Sequence, residues 1–149
     1  MVVYRVTKQK YASDISGEGA RLGGGRWNGA GNRMLYTSLS RPMALLEILA
    51  HSTVLPLGMA MVTLKLHPRS RMRKIDIDDL PTGWNDRPHS LVSQNIGDEF
   101  LRRGDFLALE VPSVILTRES NILINPLHLS ASLIQIVNVE PLDIDSRLK

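Results

Sequence analysis

Six glycines and three arginines share one twenty-residue stretch, GARLGGGRWNGAGNRMLYTS (Gly19–Ser38), and any fold for this chain has to accommodate it. Glycine loses more conformational freedom on folding than any other residue, so this density implies tight turns or a main chain that comes close to something else. The familiar phosphate-binding signatures do not explain it. Gly19 and Gly24 have the spacing that opens a P-loop, but Gly25-Arg26 stands where Lys followed by Ser or Thr is required. The dinucleotide pattern begins with Gly17-Glu18-Gly19 and then meets Leu22 where its third glycine belongs. Both signatures also lead into a helix, whereas no helix is expected after this stretch and RMLYTS (33–38) reads as a strand. Two readings remain. Successive backbone N–H groups surround one anion, with Arg21 and Arg26 adding charge-assisted bonds, or the segment is a plain turn with solvated arginines.

The remainder predicts one α+β domain over residues 1–149, richer in strand than in helix. With 149 residues, 43% of them hydrophobic, the chain is long enough to bury a core. Strand-like segments are MVVYRV (1–6), RMLYTS, GMAMVTLKL (58–66), and up to three more within DFLALEVPS, SNILINP and SLIQIVNVEPL. Ser40 before RPMALLEILAH, with Pro42 in the first turn, predicts a capped helix. SLVSQNIGDEFLRRG (90–104) predicts another, with Leu91, Ile96, Phe100 and Leu101 facing inward and Gly104 as its stop. The segment HPRSRMRKIDIDDLPTGW reads as irregular. Helices and strands do not alternate regularly, which argues against a doubly wound parallel sheet.

Several function classes drop out. The absence of cysteine excludes disulfides, thiolate nucleophiles and Cys-based zinc sites. His51, His67, His89 and His128 lack metal-ligand spacing, so no metal is expected. No GxSxG elbow occurs. A net charge of +3 is too mild to argue for nucleic acid, and 5% aromatic residues provide no stacking platform. Arg69, Arg71, Arg73 and Lys74 lie beside Asp76, Asp78 and Asp79 and read as a self-neutralising turn. No apolar run approaches the roughly 18 residues of a membrane span. With no signal-peptide core at the N-terminus either, the expectation is a cytoplasmic protein that engages no membrane.

One carboxylate is out of place. Glu47 sits in MALLEILA among apolar and small residues, where an unpaired buried charge is costly. Its helical neighbours are Met43, Ala44, Ala50 and His51. Either it pairs with His51 in a surface stripe, or the alanines leave room for a cleft in which it binds a hydroxyl or stabilises a developing positive charge.

The order YRV, GARLGGGRWN, MLYTS, ALLEILAH, VPS and NILINPLH, spread over nearly the whole chain, resembles the RES domain. RES proteins are the toxin halves of bacterial toxin–antitoxin pairs. The resemblance implies a compact fold similar to ADP-ribosyltransferases, with NAD+ consumed as substrate and no cofactor or metal. It makes Arg5 of YRV and Arg26 of GGRWN the site arginines, Tyr36 the aromatic, Glu47 the glutamate and Ser113 of VPS the serine. Ser120 is the rival for that last role, and Arg21 and Asn125 are further NAD+-binding candidates. Glu47 would stabilise the oxocarbenium character that develops on the ribose as the nicotinamide bond breaks, with Arg26 on the diphosphate and Tyr36 stacked on nicotinamide. Cleavage by water or phosphate would deplete NAD+ and arrest growth; transfer of ADP-ribose to a protein is the alternative, followed by a toxin acting on RNA and by a non-enzymatic binding module. The implied partner is an Xre-like helix-turn-helix antitoxin that blocks the cleft in a hetero-oligomer and carries the DNA contacts itself.

Overall fold

The computed structural model describes residues 1–88 and 90–149; His89, named among the histidines above, lies outside the described residues. Seven strands form one sheet: β1 (Val2–Lys8), β2 (Leu35–Ser38), β3 (Met59–Lys65), β4 (Met72–Lys74), β5 (Ala108–Pro112), β6 (Ser120–Ile124) and β7 (Gln135–Leu142). Their spatial order is β4-β5-β6-β2-β1-β3-β7. Every pairing is antiparallel except β4 with β5. The fold is therefore α+β and strand-rich, with no doubly wound sheet.

A seam divides the sheet. β1 and β3 pair along seven registered positions, from Val2↔Lys65 to Lys8↔Met59, whereas β1 and β2 share only Tyr4↔Ser38. Residues of both halves meet in one central core: Val3, Ala60, Val62 and Leu64 from β1 and β3 against Leu35, Ala108, Ile122 and Ile124 from β2, β5 and β6. The sheet thus folds across the seam and packs one half on the other. The period-2 alternation of strands then sends the intervening residues outward to two further cores. Met59 and Met61 meet Val6, Ala44 and Leu49, while Leu109, Val111 and Leu123 meet Trp27, Met34, Trp84 and Phe100.

Helices cover these outer faces. α2 (Arg41–Ala50) starts as the sequence predicts, with the Ser40 hydroxyl accepting from the Met43 N–H at 3.3 Å and Pro42 in the first turn. α3 (Leu91–Arg103) is capped by Ser90 and ends at Gly104, whose φ of +64° suits glycine. Of its expected inward residues, Ile96, Phe100 and Leu101 pack on the core and Leu91 does not. Leu91 is 75% exposed, and the buried stripe is Ser93, Gly97 and Phe100, spaced i, i+4, i+7. Small residues line it because the helix crosses directly on the main chain of Trp27: a Cβ at Gly97 would stand 1.7 Å from the Trp27 carbonyl oxygen.

Two segments carry structure that the sequence reading omits. Glu18–Gly23 forms a short helix, α1, inside the glycine-rich stretch, where only a loop followed by a strand is predicted. The segment read as irregular contains β4 and a 3-10 turn at Ile77–Asp79. Arg73 and Lys74 accordingly lie on a strand rather than in a turn, and among the described residues only Lys74 pairs with a nearby acid, Asp76, at 3.3 Å. Arg71 instead lies over the Phe106 ring at 4.7 Å. No described helix is long and apolar enough to cross a membrane.

The Gly97 contact yields a stability test. Gly97→Ala places a methyl against fixed backbone and should cost at least the roughly 1–3 kcal/mol of core overpacking. Gly19→Ala, where a Cβ meets nothing within 4 Å, should be neutral or slightly stabilising. Urea unfolding of the two variants beside wild type measures both.

Candidate active site

The glycine-rich stretch is organised around Tyr36. Gly25 and Asn28 close a small hairpin, with the Gly25 N–H donating to the Asn28 carbonyl at 2.9 Å. The Tyr36 hydroxyl accepts from the Trp27 N–H at 3.0 Å and donates to Asn28 Oδ1 at 2.6 Å. Burial is the main cause that pushes its pKa well above the ordinary phenol value, so this donor keeps its proton. Asn28 is itself fully buried and donates to the carbonyls of Ala20 and Asn32. Part of the glycine pattern follows from this packing. A Cβ on Gly25 would stand 2.5 Å from the Tyr36 hydroxyl, and Gly24 has φ +68°.

α3 holds the same hairpin from the other side. The Gln94 side chain donates to the Gly25 carbonyl at 3.0 Å, and the Asp98 carboxylate accepts from the Gly29 N–H at 3.0 Å and from Asn32 Nδ2 at 2.8 Å. The two tryptophans, distant in sequence, pack with ring centroids 6.2 Å apart. Trp84 in turn is fixed by Ser93, whose hydroxyl donates to its carbonyl.

Arg26 projects from this hairpin. Its Nη1 donates to the carbonyls of Asp86 at 2.9 Å and Trp84 at 3.3 Å, leaving the rest of the guanidinium without a recorded protein partner. Burial, and then the charge of Arg87, push its pKa below the usual guanidinium value; Glu47 and Tyr36 are near enough to oppose the shift.

Glu47 reaches this region from α2, with the geometry of a group held by one oxygen. Oε1 accepts from the Ser113 hydroxyl at 2.8 Å and from Asn121 Nδ2 at 2.6 Å. Oε2 has no hydrogen-bond partner among the described residues. Ser113 is 0% exposed and its hydroxyl also accepts from the N–H groups of Ile115 and Leu116. Asn121 is fixed in turn by Ser38, whose hydroxyl donates to Asn121 Oδ1 at 2.7 Å. The registers Ser38↔Asn121 and Tyr36↔Leu123 put Tyr36, Ser38 and Asn121 on one sheet face. Glu47 makes no ion pair with His51, so the surface-stripe reading of this helix does not hold.

The structure thus gathers Arg26, Tyr36, Glu47 and Ser113. The other sequence candidates lie elsewhere. Arg5 stands opposite Val62 on the central-core face, with Nη1 donating to the Asp14 carbonyl at 2.6 Å and Nη2 to Thr7 at 3.4 Å. Arg21 pairs with Glu18 at 2.6 Å on α1. Asn125 turns its Oδ1 to the Leu127 N–H at the far end of β6, roughly 13 Å from Asn121 at about 3.3 Å per residue. Ser120 sits opposite Pro112, and its carbonyl accepts from Leu39; Ser113 is the serine on Glu47. Asn121, Ser38, Gln94 and Asp98 are absent from the sequence reading. Strand parity in NILINP, which places Asn121 on the face of Leu123, is the signal that marks the first of them.

Comparison with known proteins places this geometry. The family model of the RES domain matches residues 2–145. The chain belongs to the RES domain family. It is 36% identical over 130 residues to Toxin Res of Photorhabdus laumondii, covering 85% of this chain and 83% of that protein. Toxin Res of Yersinia enterocolitica is 34% identical over 156 residues and covers 100% of both chains. The Prs ADP-ribosylating toxin of a Sphingobium species is 38% identical over 122 residues, covering 78% of this chain and 75% of that one. Among solved structures, a chain of the M. tuberculosis MbcT–MbcA toxin–antitoxin complex superposes with a TM-score of 0.76 at 16% identity, over 95% of this chain and 83% of that chain. At that identity the match speaks to the fold of this RES protein, which it shares.

The hairpin makes a local prediction. Tyr36→Phe removes the acceptor of the Trp27 amide and the donor to Asn28, and a lost buried hydrogen bond costs about 1–3 kcal/mol. Exchange of the Trp27 amide should accelerate about tenfold or more while amides in β3 keep their protection, as read by hydrogen–deuterium exchange.

Proposed function

We propose that this RES protein is the toxin of a toxin–antitoxin pair and that it cleaves the nicotinamide–ribose bond of NAD+. The observation that carries the reading is the half-committed carboxylate of Glu47. Its Oε1 is held by Ser113 and Asn121, and its Oε2 is free to take a ligand beside the Arg26 guanidinium. Such a carboxylate suits a sugar that gains positive charge as its bond to a leaving group breaks. Oε2 accepts from a ribose hydroxyl and offsets the oxocarbenium charge on the adjacent carbon. Arg26 takes a diphosphate oxygen through the N–H groups that its carbonyl contacts leave over.

Ser113 is a positioning residue in this scheme. It is sealed from solvent and touches Glu47, so it acts through the carboxylate. Tyr36 uses its hydroxyl to hold the hairpin, which leaves the half-buried ring for contact with nicotinamide. No cofactor enters the chemistry, since NAD+ is the substrate. Water as acceptor gives nicotinamide, ADP-ribose and a proton; phosphate gives nicotinamide and ADP-ribose 1″-phosphate. The likeness to a relative named as an ADP-ribosylating toxin favours a second reading, in which a protein side chain is the acceptor.

The relatives named Toxin Res, and the toxin–antitoxin complex that shares the fold, support an antitoxin as partner. We place that partner, an Xre-like helix-turn-helix protein, over the Arg26–Glu47 cleft, with the DNA contacts on its side.

Glu47→Gln tests the site. Glutamine keeps an oxygen for the Ser113 and Asn121 donors but replaces the free carboxylate oxygen or its charge. Nicotinamide release from NAD+, followed by chromatography, should fall at least about 100-fold, the size of effect seen when a charge-stabilising group is removed. The variant should still unfold cooperatively, with a melting temperature lowered by only the few degrees expected when two charge-assisted bonds become neutral ones. Expression of wild type, and not of the variant, should arrest growth and lower cellular NAD+. Equal nicotinamide release by wild type and variant would sink the assignment, and the second product names the acceptor.

A further inference from the structure

The turn after Trp84 belongs to no motif recognised in the sequence, yet Arg26 is built onto it. The bonds from Arg26 Nη1 to the carbonyls of Trp84 and Asp86 bring that turn against the guanidinium. Ser90 and Ser93 of the α3 entry hold the turn from beneath, through the carbonyls of Gly83 and Trp84. Arg87 follows immediately and is exposed.

Two guanidinium groups therefore share one small region, and neither has an acid partner. Among the described residues no carboxylate lies within ion-pair distance of Arg26 or Arg87, as is true of several other arginines, but these two adjoin one another. The neighbouring Asp86 carries an opposite charge that Arg26 feels, but it makes no ion pair with either arginine. One of its carboxylate oxygens would lie 3.2 Å from a Cβ on Gly83, so the group is folded back over its own turn. Arg87 is also the strongest charged neighbour acting on Arg26, ahead of Glu47. Adjoining like charges, neither of them in an ion pair, are relieved by an anion that spans them.

We infer that Arg87 is the second arginine of a diphosphate subsite, reaching the oxygens of a nucleoside diphosphate from the turn while Arg26 holds them from the hairpin. This deepens the NAD+ reading and rests on it for the identity of the natural ligand. A subsite of this kind recognises the linkage between the two nucleosides, not the nicotinamide. ADP-ribose and ADP should therefore compete with NAD+, and nicotinamide mononucleotide, which has one phosphate, should compete poorly.

Inorganic diphosphate is the direct probe. Its affinity for the full-length protein is measured by isothermal titration for wild type, Arg87→Gln and, as a control, Arg69→Gln, which removes an exposed arginine outside the site. Arg87→Gln should weaken diphosphate binding about tenfold, the scale of one lost charge-assisted contact. Arg69→Gln should stay within about twofold. In the cleavage assay KM for NAD+ should rise in Arg87→Gln with kcat nearly unchanged, the pattern of lost uniform binding. Wild-type protein that does not bind diphosphate, or Arg87→Gln that binds it as wild type does, overturns the inference. Arg87-dependent diphosphate binding by a wild type that releases no nicotinamide keeps this subsite and rejects the NAD+ reading instead.

Discussion

The Glu47 carboxylate joins the two halves of the molecule. α2, which carries it, packs through Ala44 and Leu49 on the outer core of β1 and β3. Its acceptor oxygen is held by Ser113 and Asn121, which follow β5 and lie on β6 across the seam. Only the Tyr4↔Ser38 register joins β1 to β2 at this level, and Ser38 also holds Asn121. The seam is thus spanned by a short chain of polar contacts from strand to amide to carboxylate. Hydrogen bonds to a charged acceptor contribute about 1.5–3 kcal/mol each, more than neutral ones, and they require a fixed geometry. A carboxylate used in this way is located accurately because the fold depends on its location.

α3 provides the second fixed point. Its small-residue stripe lets the helix lie against Trp27, and Gln94 and Asp98 bind the hairpin that carries Arg26. Ser90 and Ser93 bind the turn that receives the Arg26 guanidinium. One helix therefore sets both ends of the arginine's environment. A shift of α3 would move the hairpin and the turn together, preserving the Arg26 contacts while changing their distance from Glu47. Glu47 and Arg26 thus depend on separate supports, α2 and the hairpin held by α3, both packed on the same face of the sheet.

What could be read in the sequence followed locality. Regular apolar alternation and side-chain caps are local signals, and β1, β3, α2 and the ends of α3 lie where they indicate. The inward face of α3 was legible in part: Ile96, Phe100 and Leu101 pack inward as their hydrophobicity indicates, but hydrophobicity also marks the exposed Leu91 and passes over Gly97, whose contact with Trp27 is distant in sequence. α1 was hidden by glycines that disfavour helix on intrinsic propensity, and its helix is held by the Arg21 and Arg33 pairs with Glu18. β4 is three residues long and charged, so it carries no period. In the site, Glu47 stood out as a charge in an apolar helix, but its partners lie on β5 and β6. Helix geometry alone could offer only His51.

Arg26, Tyr36 and Glu47 each give some of their polar atoms to the fold, and Glu47 and Arg26 leave others without a hydrogen-bond partner among the described residues. Glu47 commits one carboxylate oxygen, Arg26 one terminal nitrogen, and Tyr36 its hydroxyl. This division gives preorganisation without an empty polar cavity: the committed atoms fix the position of the open ones before any ligand arrives. It also explains why the glycine-rich stretch looks like a phosphate loop and is not one. Its backbone N–H groups at Gly25, Trp27 and Gly29 are already taken by Asn28, Tyr36 and Asp98. The glycines build a rigid post for one arginine, whose guanidinium, not the loop, is left to meet an anion in the proposed function.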